Sequence, residues 1–454
     1  MRTKRVKDLI PWREVVAESV QRVRLLEPLP GKEFPVSQNA LVIGGGLAGI
    51  ETALRLAELG IETFLVEKEP QLGGRLRQLP AVCGLENNPL DFISERIERI
   101  NSESLIKVIT SAQIAEVKGQ VGNFRVGIQK GEEKTPLVVG AIVVATGYSV
   151  AKAYDQFGLQ PSDNIITQTD LDNRLNLKGK VQKEVFSIGG KVPKVIAFVL
   201  GTSSKASKLP SISALTGGLV LKQRLNAEIY VLNDGMRIAG SGLETLYRTA
   251  RKEGIVFLRY SKKPEFLRTD TKVNISIEDL QKRFNLPCDL LIIEDKIVPP
   301  DSTKELADIL KISLDRSGFY QEDNINLMPI ESNRKGIFLV GSCHNDCDFP
   351  ETLSEVGDCA GRIYGLLHQG KITASELVVI DPGKCALCLT CQRSCPHSAI
   401  EVSYYEKETK SAARVIEPAC QGCGVCVAEC PARAIAYKNC SNEQISQILA
   451  GVSS

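Results

Sequence analysis

Two cysteine runs leave little freedom to the fold around them: Cys385-x-x-Cys388-x-x-Cys391-x-x-x-Cys395-Pro396 and Cys420-x-x-Cys423-x-x-Cys426-x-x-x-Cys430-Pro431. In each, the first three thiolates are two residues apart on a turn, so one loop can wrap one corner of a cubane. The fourth lies on the following segment and reaches the other cluster. The spacing assigns Cys385, Cys388, Cys391 and Cys430 to one [4Fe-4S] cluster, and Cys420, Cys423, Cys426 and Cys395 to a second. A proline breaks the chain after each run, and Ile400 and Ile435 follow at equal offsets, which marks a duplicated half-domain. Eight of the fourteen cysteines lie in these runs; clustered thiols in a reducing compartment point to metal rather than disulfides. The alternative is two zinc sites of four cysteines each, although zinc ribbons usually pair two CxxC units across a longer gap.

A second constraint lies near the other end of the chain. Residues 40–43 read as a buried strand, Gly44-Gly45-Gly46-Leu47-Ala48-Gly49 as a turn, and the alanine- and leucine-rich stretch to about Leu59 as a helix stopped by Gly60. Residues 62–66 make a second strand ending at Glu67. This is a βαβ unit, so the class is α/β with a parallel sheet. Gly44, Gly46 and Gly49 form GxGxxG in the right context: they allow a tight turn and close approach of a pyrophosphate to a helix N-terminus, while Glu67 can accept ribose hydroxyls. Strands are also expected at 141–144, 194–200, 229–232, 289–293 and 336–341, with a helix around 219–224. A last helix, 442–449, is capped by Ser441.

The 454 residues suggest about three domains. With 56 basic and 54 acidic side chains the formal charge is +2, which gives no reason to expect a nucleic-acid binder. No apolar stretch approaches the length of a membrane span. The start, MRTKRVKDLIPWREVV, lacks the apolar core and cleavage site of a secretory signal. A cytoplasmic location is expected.

The cysteine segment resembles the bacterial two-cluster ferredoxins over about 60 residues. Residues 67–75, Glu67-Lys68-Glu69-Pro70-Gln71-Leu72-Gly73-Gly74-Arg75, resemble the extension found in two-dinucleotide flavoproteins. Ala145-Thr146-Gly147 and the strand ending at Gly341 resemble two further landmarks of that family. The resemblance implies FAD in a Rossmann-like, thioredoxin-reductase-like core. Its expected layout is a helical arm at 1–37, FAD-domain segments at 38–150 and 289–372, an inserted NAD(P)-domain-like unit at 151–288, an α+β ferredoxin domain with two [4Fe-4S] clusters at 373–440, and a tail at 441–454. Candidate flavin-binding residues are Gly44, Gly46, Leu47, Ala48, Gly49, Glu67, Lys68, Gly74, Arg75, Ile114, Ala145, Thr146, Gly147, Gly341, Ser342, Pro350, Glu351 and Thr352. The inserted unit has Gly201-Thr202-Ser203-Ser204 where a GxGxxG would bind NAD(P)H, so that site is not expected to be an ordinary one. Every CxxC lies in the ferredoxin segment; Cys343 and Cys347 read as two packed or free thiols rather than a redox dithiol.

Taken together, the chain resembles the A-type subunits of heterodisulfide reductase and related electron-transfer subunits. The residues that carry this are 25–29 (Leu-Leu-Glu-Pro-Leu), 40–49, 66–70, 117–124, 336–341, Asp348-Phe349-Pro350-Glu351 and both cysteine runs, in the family's order. The resemblance implies an oxidoreductase subunit in which FAD and two clusters exchange electrons with redox partners. These would be heterodisulfide-reductase B- and C-like subunits or other redox subunits, with a homodimer inside a larger complex as one arrangement and the arm as an interface. No residue is assigned a catalytic role. Larger members carry an inserted ferredoxin module and extra cysteines where only Cys83 stands here. The position of a flavin-proximal lysine aligns with Thr216, which puts bifurcation in doubt. The other readings are a self-contained NAD(P)H:ferredoxin-type oxidoreductase and a non-catalytic iron–sulfur relay or scaffold. Of the histidines, His344 is expected to have a surface or capping role, and His397 to pack beside a cluster.

Overall fold

The computed structural model describes residues 12–176, 188, 191–201, 207–269, 272–279 and 282–452. Its largest element is a seven-stranded sheet. Asn39–Ile43 is parallel to Glu62–Val66 on one side and to Ala141–Val144 on the other. Ile106–Ile109 extends the first edge; Ile337–Leu339, Met328–Ser332 and Glu322–Asn324 extend the second. Past their first residues the central strands are largely apolar, because both faces are covered. Side chains alternate across a strand, so Ala40 and Val42 enter a core with the helices Leu47–Glu58, Pro89–Ser102 and Phe349–Leu367. Leu41 and Ile43 enter another, beneath the antiparallel sheet Gln113–Gln120, Asn123–Lys130 and Glu133–Val139 and the helix Thr303–Leu310.

A second lobe is built on five parallel strands in the order Ile165–Thr167, Leu290–Ile293, Val195–Val199, Glu228–Asn233 and Val256–Arg259. Here the structure corrects the expected layout. The strand Leu290–Ile293, assigned to the returning FAD segment at 289–372, pairs instead with Ile165–Thr167 and Val195–Val199. Its four residues are buried, a pattern that suits the middle of either parallel sheet, and only the long-range pairing decides. The return crossing is the next strand, Asp295–Val298, antiparallel to the outgoing crossing Ser149–Lys152. A three-stranded antiparallel sheet, Lys262–Arg268, Val273–Asp279 and Lys282–Cys288, completes this lobe.

Within the arm, Trp12–Arg24 is a helix, and residues 1–11 lie outside the described residues. The arm also holds an unforeseen strand, Gly31–Pro35, antiparallel to Lys371–Ser375; its prolines mask it as a break, yet Pro35 is tolerated at a strand end. The arm is tied to the C-terminal helix Asn442–Val452, since the Gln444 side chain donates to the Leu25 carbonyl at 2.8 Å. Ser441 Oγ accepts from the Gln444 amide while Gln444 Oε1 accepts from the Ser441 amide, a reciprocal cap. In the cysteine segment, Val378–Ile380 pairs with Ile435–Tyr437, and Ile400–Tyr405 forms a hairpin with Lys410–Val415.

Candidate functional site

The cysteine segment folds into two pockets, each ringed by one of the crossed quartets. Cys385, Cys388, Cys391 and Cys430 line one; Cys395, Cys420, Cys423 and Cys426 line the other, with His397 beside them. Among the described residues no three of these sulfurs lie within 4.8 Å of one another. A tetrahedral zinc with bonds of about 2.3 Å would hold its sulfurs about 3.8 Å apart, so the quartets are too open for a single ion and fit a larger group. The donor set agrees. Burial raises the Cys391 thiol, and neighbouring thiolates of its quartet add to it. Burial together with Cys395, Cys420 and Cys423 pushes Cys426 up to about 11. Crowded thiolates of this kind are stabilised by a multiply charged metal cluster between them. The amide of Ala399 donates to Cys395 Sγ at 3.4 Å, and that of Ala434 to Cys430 Sγ at 3.3 Å, the same offset in each repeat. His397 is buried, its Nδ1 2.6 Å from the Asn333 carbonyl oxygen, so the expected place beside a cluster pocket is the one observed.

A cavity of about 420 Å³ opens where the two lobes meet. Its floor is the glycine turn. Gly44 has φ +113°, and a Cβ there would strike the Ala145 carbonyl at 2.4 Å; a Cβ on Gly46 would meet nothing and project into open space. The helix Leu47–Glu58 starts at Gly46 without a side-chain cap, leaving its first amides available to an anion. Glu67 accepts from the Gly45 amide at 2.5 Å and from the Glu69 amide at 2.8 Å, which fixes its carboxylate at the strand end. Arg75 lies over the Tyr148 ring at 4.8 Å, and its buried Nε has no partner. An uncapped helix, an open glycine and an orphaned guanidinium nitrogen together fit a dinucleotide phosphate chain.

Of the candidate residues, Gly44, Gly46, Leu47, Ala48, Glu67, Lys68, Gly74, Arg75, Ile114, Ala145, Thr146, Gly147, Gly341, Ser342 and Thr352 line this cavity. Gly49, Pro350 and Glu351 lie off its wall. Gly49 is there for packing, since a Cβ on it would sit 1.8 Å from the Gly44 carbonyl oxygen. Pro350 packs against Gly84. Glu351 is the reciprocal partner of Asp348 at the start of Phe349–Leu367, and it also pairs with Lys208 from the second lobe. Sequence reasoning did not assign Tyr148, Asp172, Asp295, Cys347, Asp348 and Phe349 to the wall, nor Leu209, Pro210 and Ser213 from the helix Leu209–Leu225, where Thr216 also lies. Asp172 is buried; desolvation raises its carboxyl to about 7 against the opposing charge of Arg75. Cys83 lines the cavity as well.

In the second lobe, Gly201 is held by Glu294, which accepts from its amide at 2.5 Å. A Cβ on Gly201 would strike the Tyr260 hydroxyl and Asp234. Residues 202–204 of the expected non-standard turn lie outside the described residues. Cys343 is a packed thiol donating to the Val144 carbonyl. His344 departs from the expected surface or capping role: it is buried between Glu322, 2.6 Å from Nδ1, and Glu355, 3.2 Å from Nε2. Burial opposes its charge, but the two carboxylates outweigh this and raise it to about 9. No signal local to His344 could have shown this, because both partners come from distant elements.

Residues 38–360 match the family model described as pyridine nucleotide-disulphide oxidoreductase, and residues 377–431 the one described as 4Fe-4S dicluster domain. The chain belongs to the pyridine nucleotide-disulphide oxidoreductase family, with a 4Fe-4S dicluster domain following the flavoprotein-type core. Among curated proteins it is similar to the A-type iron-sulfur subunit 1 of CoB–CoM heterodisulfide reductase from Methanopyrus kandleri, with 27% identity over 91% of this chain and 75% of that protein. It is also similar to the A-type iron-sulfur subunit of CoB–CoM heterodisulfide reductase from Methanocaldococcus jannaschii, with 27% identity over 88% of this chain and 75% of that protein. Among solved structures, the Lactococcus lactis thioredoxin reductase aligns with 73% of this chain and 100% of its own at 14% identity and a TM-score of 0.49. Among the described residues no helix is long and apolar enough to cross a membrane.

Proposed function

We propose that this chain is the flavo-iron–sulfur electron-transfer subunit of a heterodisulfide-reductase-like complex, with one FAD in the inter-lobe cavity and one [4Fe-4S] cluster on each crossed quartet. The observation that carries this reading is the presence, in one polypeptide, of a dinucleotide-shaped cavity and two separate four-thiol pockets. FAD supplies exchange of electrons in pairs or singly, and the clusters supply one-electron steps.

The chain's own residues bind, orient and shield. The first amides of Leu47–Glu58 receive the pyrophosphate, Glu67 the ribose hydroxyls, and Arg75 offers its unpartnered Nε. The first turns of the helix Leu209–Leu225 form part of the far wall of the cavity. Asp172 holds a proton on its carboxyl up to about neutral pH. The lack of a GxGxxG after the strand Val195–Val199, where Gly201-Thr202-Ser203-Ser204 stands instead, favours a complex subunit over a self-contained NAD(P)H oxidoreductase. The partners in this reading are B- and C-like or other redox subunits, in the cytoplasm.

Anaerobic purification of the native protein tests this. It is expected to yield a yellow-brown chain with FAD and about eight irons, recovered with redox subunits, whose flavin band NADH and NADPH leave unchanged. Rapid bleaching by either nucleotide would support the self-contained enzyme instead. Iron without flavin would leave only a relay.

A further inference from the structure

Outside the cysteine runs, three potential metal donors from two consecutive elements converge beside the cavity. His344 and Cys347 lie on the turn between the strand Ile337–Leu339 and the helix Phe349–Leu367, and Glu355 lies on that helix. One nitrogen of His344, Cys347 Sγ and a Glu355 oxygen all fall within 4.8 Å of one another, the only such group among the described residues. We infer that His344, Cys347 and Glu355 form a binding site for one zinc ion, with Glu322 orienting the imidazole and the fourth position left to water from the cavity.

The donors lie within reach of one ion. A tetrahedral zinc with bonds of about 2.0–2.3 Å has edges of about 3.3–3.8 Å. His344 Nε2 is 3.2 Å from one carboxylate oxygen of Glu355 and Cys347 Sγ is 3.2 Å from the other, and with the three donors within 4.8 Å of one another small side-chain rotations bring them onto a single ion. The other ring nitrogen, Nδ1, lies 2.6 Å from Glu322, the carboxylate–histidine arrangement that fixes which nitrogen faces a metal. Glu355 is itself anchored, accepting from the Gly341 amide at 2.7 Å. One sulfur, one imidazole and one carboxylate make a borderline donor set that suits zinc.

His344 pairs with two carboxylates, and the buried Cys347 thiol donates to one of them, Glu355, so a third donor type faces the same carboxylate. Cys347 also lines the cavity, which gives the site access from that side. Three protein ligands with one position free is the pattern of a zinc site that stays open to exchange. On loading, the proton of the Cys347 thiol and any proton on His344 Nε2 are released to solvent, and the sulfur and nitrogen they leave take the metal bonds, with no change of oxidation state.

The test uses the full chain purified anaerobically with its flavin and iron, exposed to zinc sulfate and desalted. About one zinc per chain is expected beside about eight irons. Zinc-edge X-ray absorption should show one sulfur near 2.3 Å with nitrogen and oxygen near 2.0 Å. His344→Gln should lose the zinc while iron content and flavin absorbance stay at the wild-type level, and Cys347→Ser should lose it with iron content unchanged. Glu322→Gln should keep it with about 10–100-fold weaker affinity. Three results overturn the proposal: no zinc in the wild type at full iron content, a four-sulfur shell that puts the zinc in the quartets, or full zinc retention in Cys347→Ser.

Discussion

The two cysteine runs have the same spacing, yet their backbones are set by different means. After Cys385 the turn passes through Leu387 at φ +52° and Leu389 at φ +60°; at the same offsets after Cys420 stand Gly422 at +69° and Gly424 at +77°. A left-handed conformation costs an L-residue about 1–2 kcal/mol, so the first run is strained where the second is not. The surroundings account for the choice. A side chain on Gly422 would lie 2.8 Å from the Tyr437 hydroxyl and 2.9 Å from Leu377, and Tyr437 donates to the Gly422 carbonyl. In the first run Ala386 and Leu389 line the pocket together with Ile380, Ala413, Ala434 and Ile435. At one turn the neighbours demand glycine; at the other a leucine is accepted at the cost of strain. Ligand spacing therefore fixes which cysteines meet, while neighbours decide which residues each turn accepts.

The largest effect should come from breaking the crossing itself. Pairing Cys395→Ala with Cys423→Ala removes two ligands of one quartet and should leave about four irons per chain. Pairing Cys395→Ala with Cys388→Ala strikes both quartets and should leave almost none. If each run kept its own four cysteines, the outcomes would be reversed, and an iron assay on the two double variants separates the cases.

Next in size are substitutions at these two turns. Gly422→Leu adds a left-handed penalty of about 1–2 kcal/mol to an overpacking penalty of about 1–3 kcal/mol beneath Tyr437. Iron release in urea should begin at markedly lower concentration. Leu387→Gly relieves strain at a solvent-facing position but gives back part of the gain in backbone entropy. A net stabilisation of about 0.5–1 kcal/mol is expected. A loss of stability in Leu387→Gly would show that its side chain shelters the first quartet, which sharpens the contrast.

The quartets were legible in the sequence because their ligands obey a local rule: residues two apart on a turn, and a fourth before proline. The glycine turn was legible for the same reason, since Gly44, Gly46 and Glu67 sit within a single βαβ unit. What was not legible depended on pairings across the chain. The run 289–293 suits either parallel sheet, and only its register against Ile165–Thr167 places it in the second lobe. Asp172 and Asp295 reach the cavity because the crossing strands Ser149–Lys152 and Asp295–Val298 lie side by side. Glu351 reads from its motif as a cofactor contact, but Lys208, 143 positions away, draws it into an inter-lobe ion pair.

The smallest effect concerns potential rather than assembly. The second quartet lies against the core: Asn333 receives His397 through its carbonyl and donates through its side chain to Pro396, and Lys335 bears electrostatically on Cys420. On Cys388 and Cys391 of the first quartet the charges that act come from the cysteine segment itself, Arg393 and the neighbouring thiols. Replacing Lys335 with Gln removes a positive charge near one site only. An added electron is then less well stabilised there, so that site's midpoint should fall while the other stays fixed. For a partly exposed charge worth about 0.2–1 kcal/mol, the one-electron shift is about 10–40 mV. Redox titration followed by paramagnetic resonance resolves the two signals. Equal movement of both would mean that the charge acts on the domain as a whole, and the distinction between a core-facing and an outward quartet would be lost.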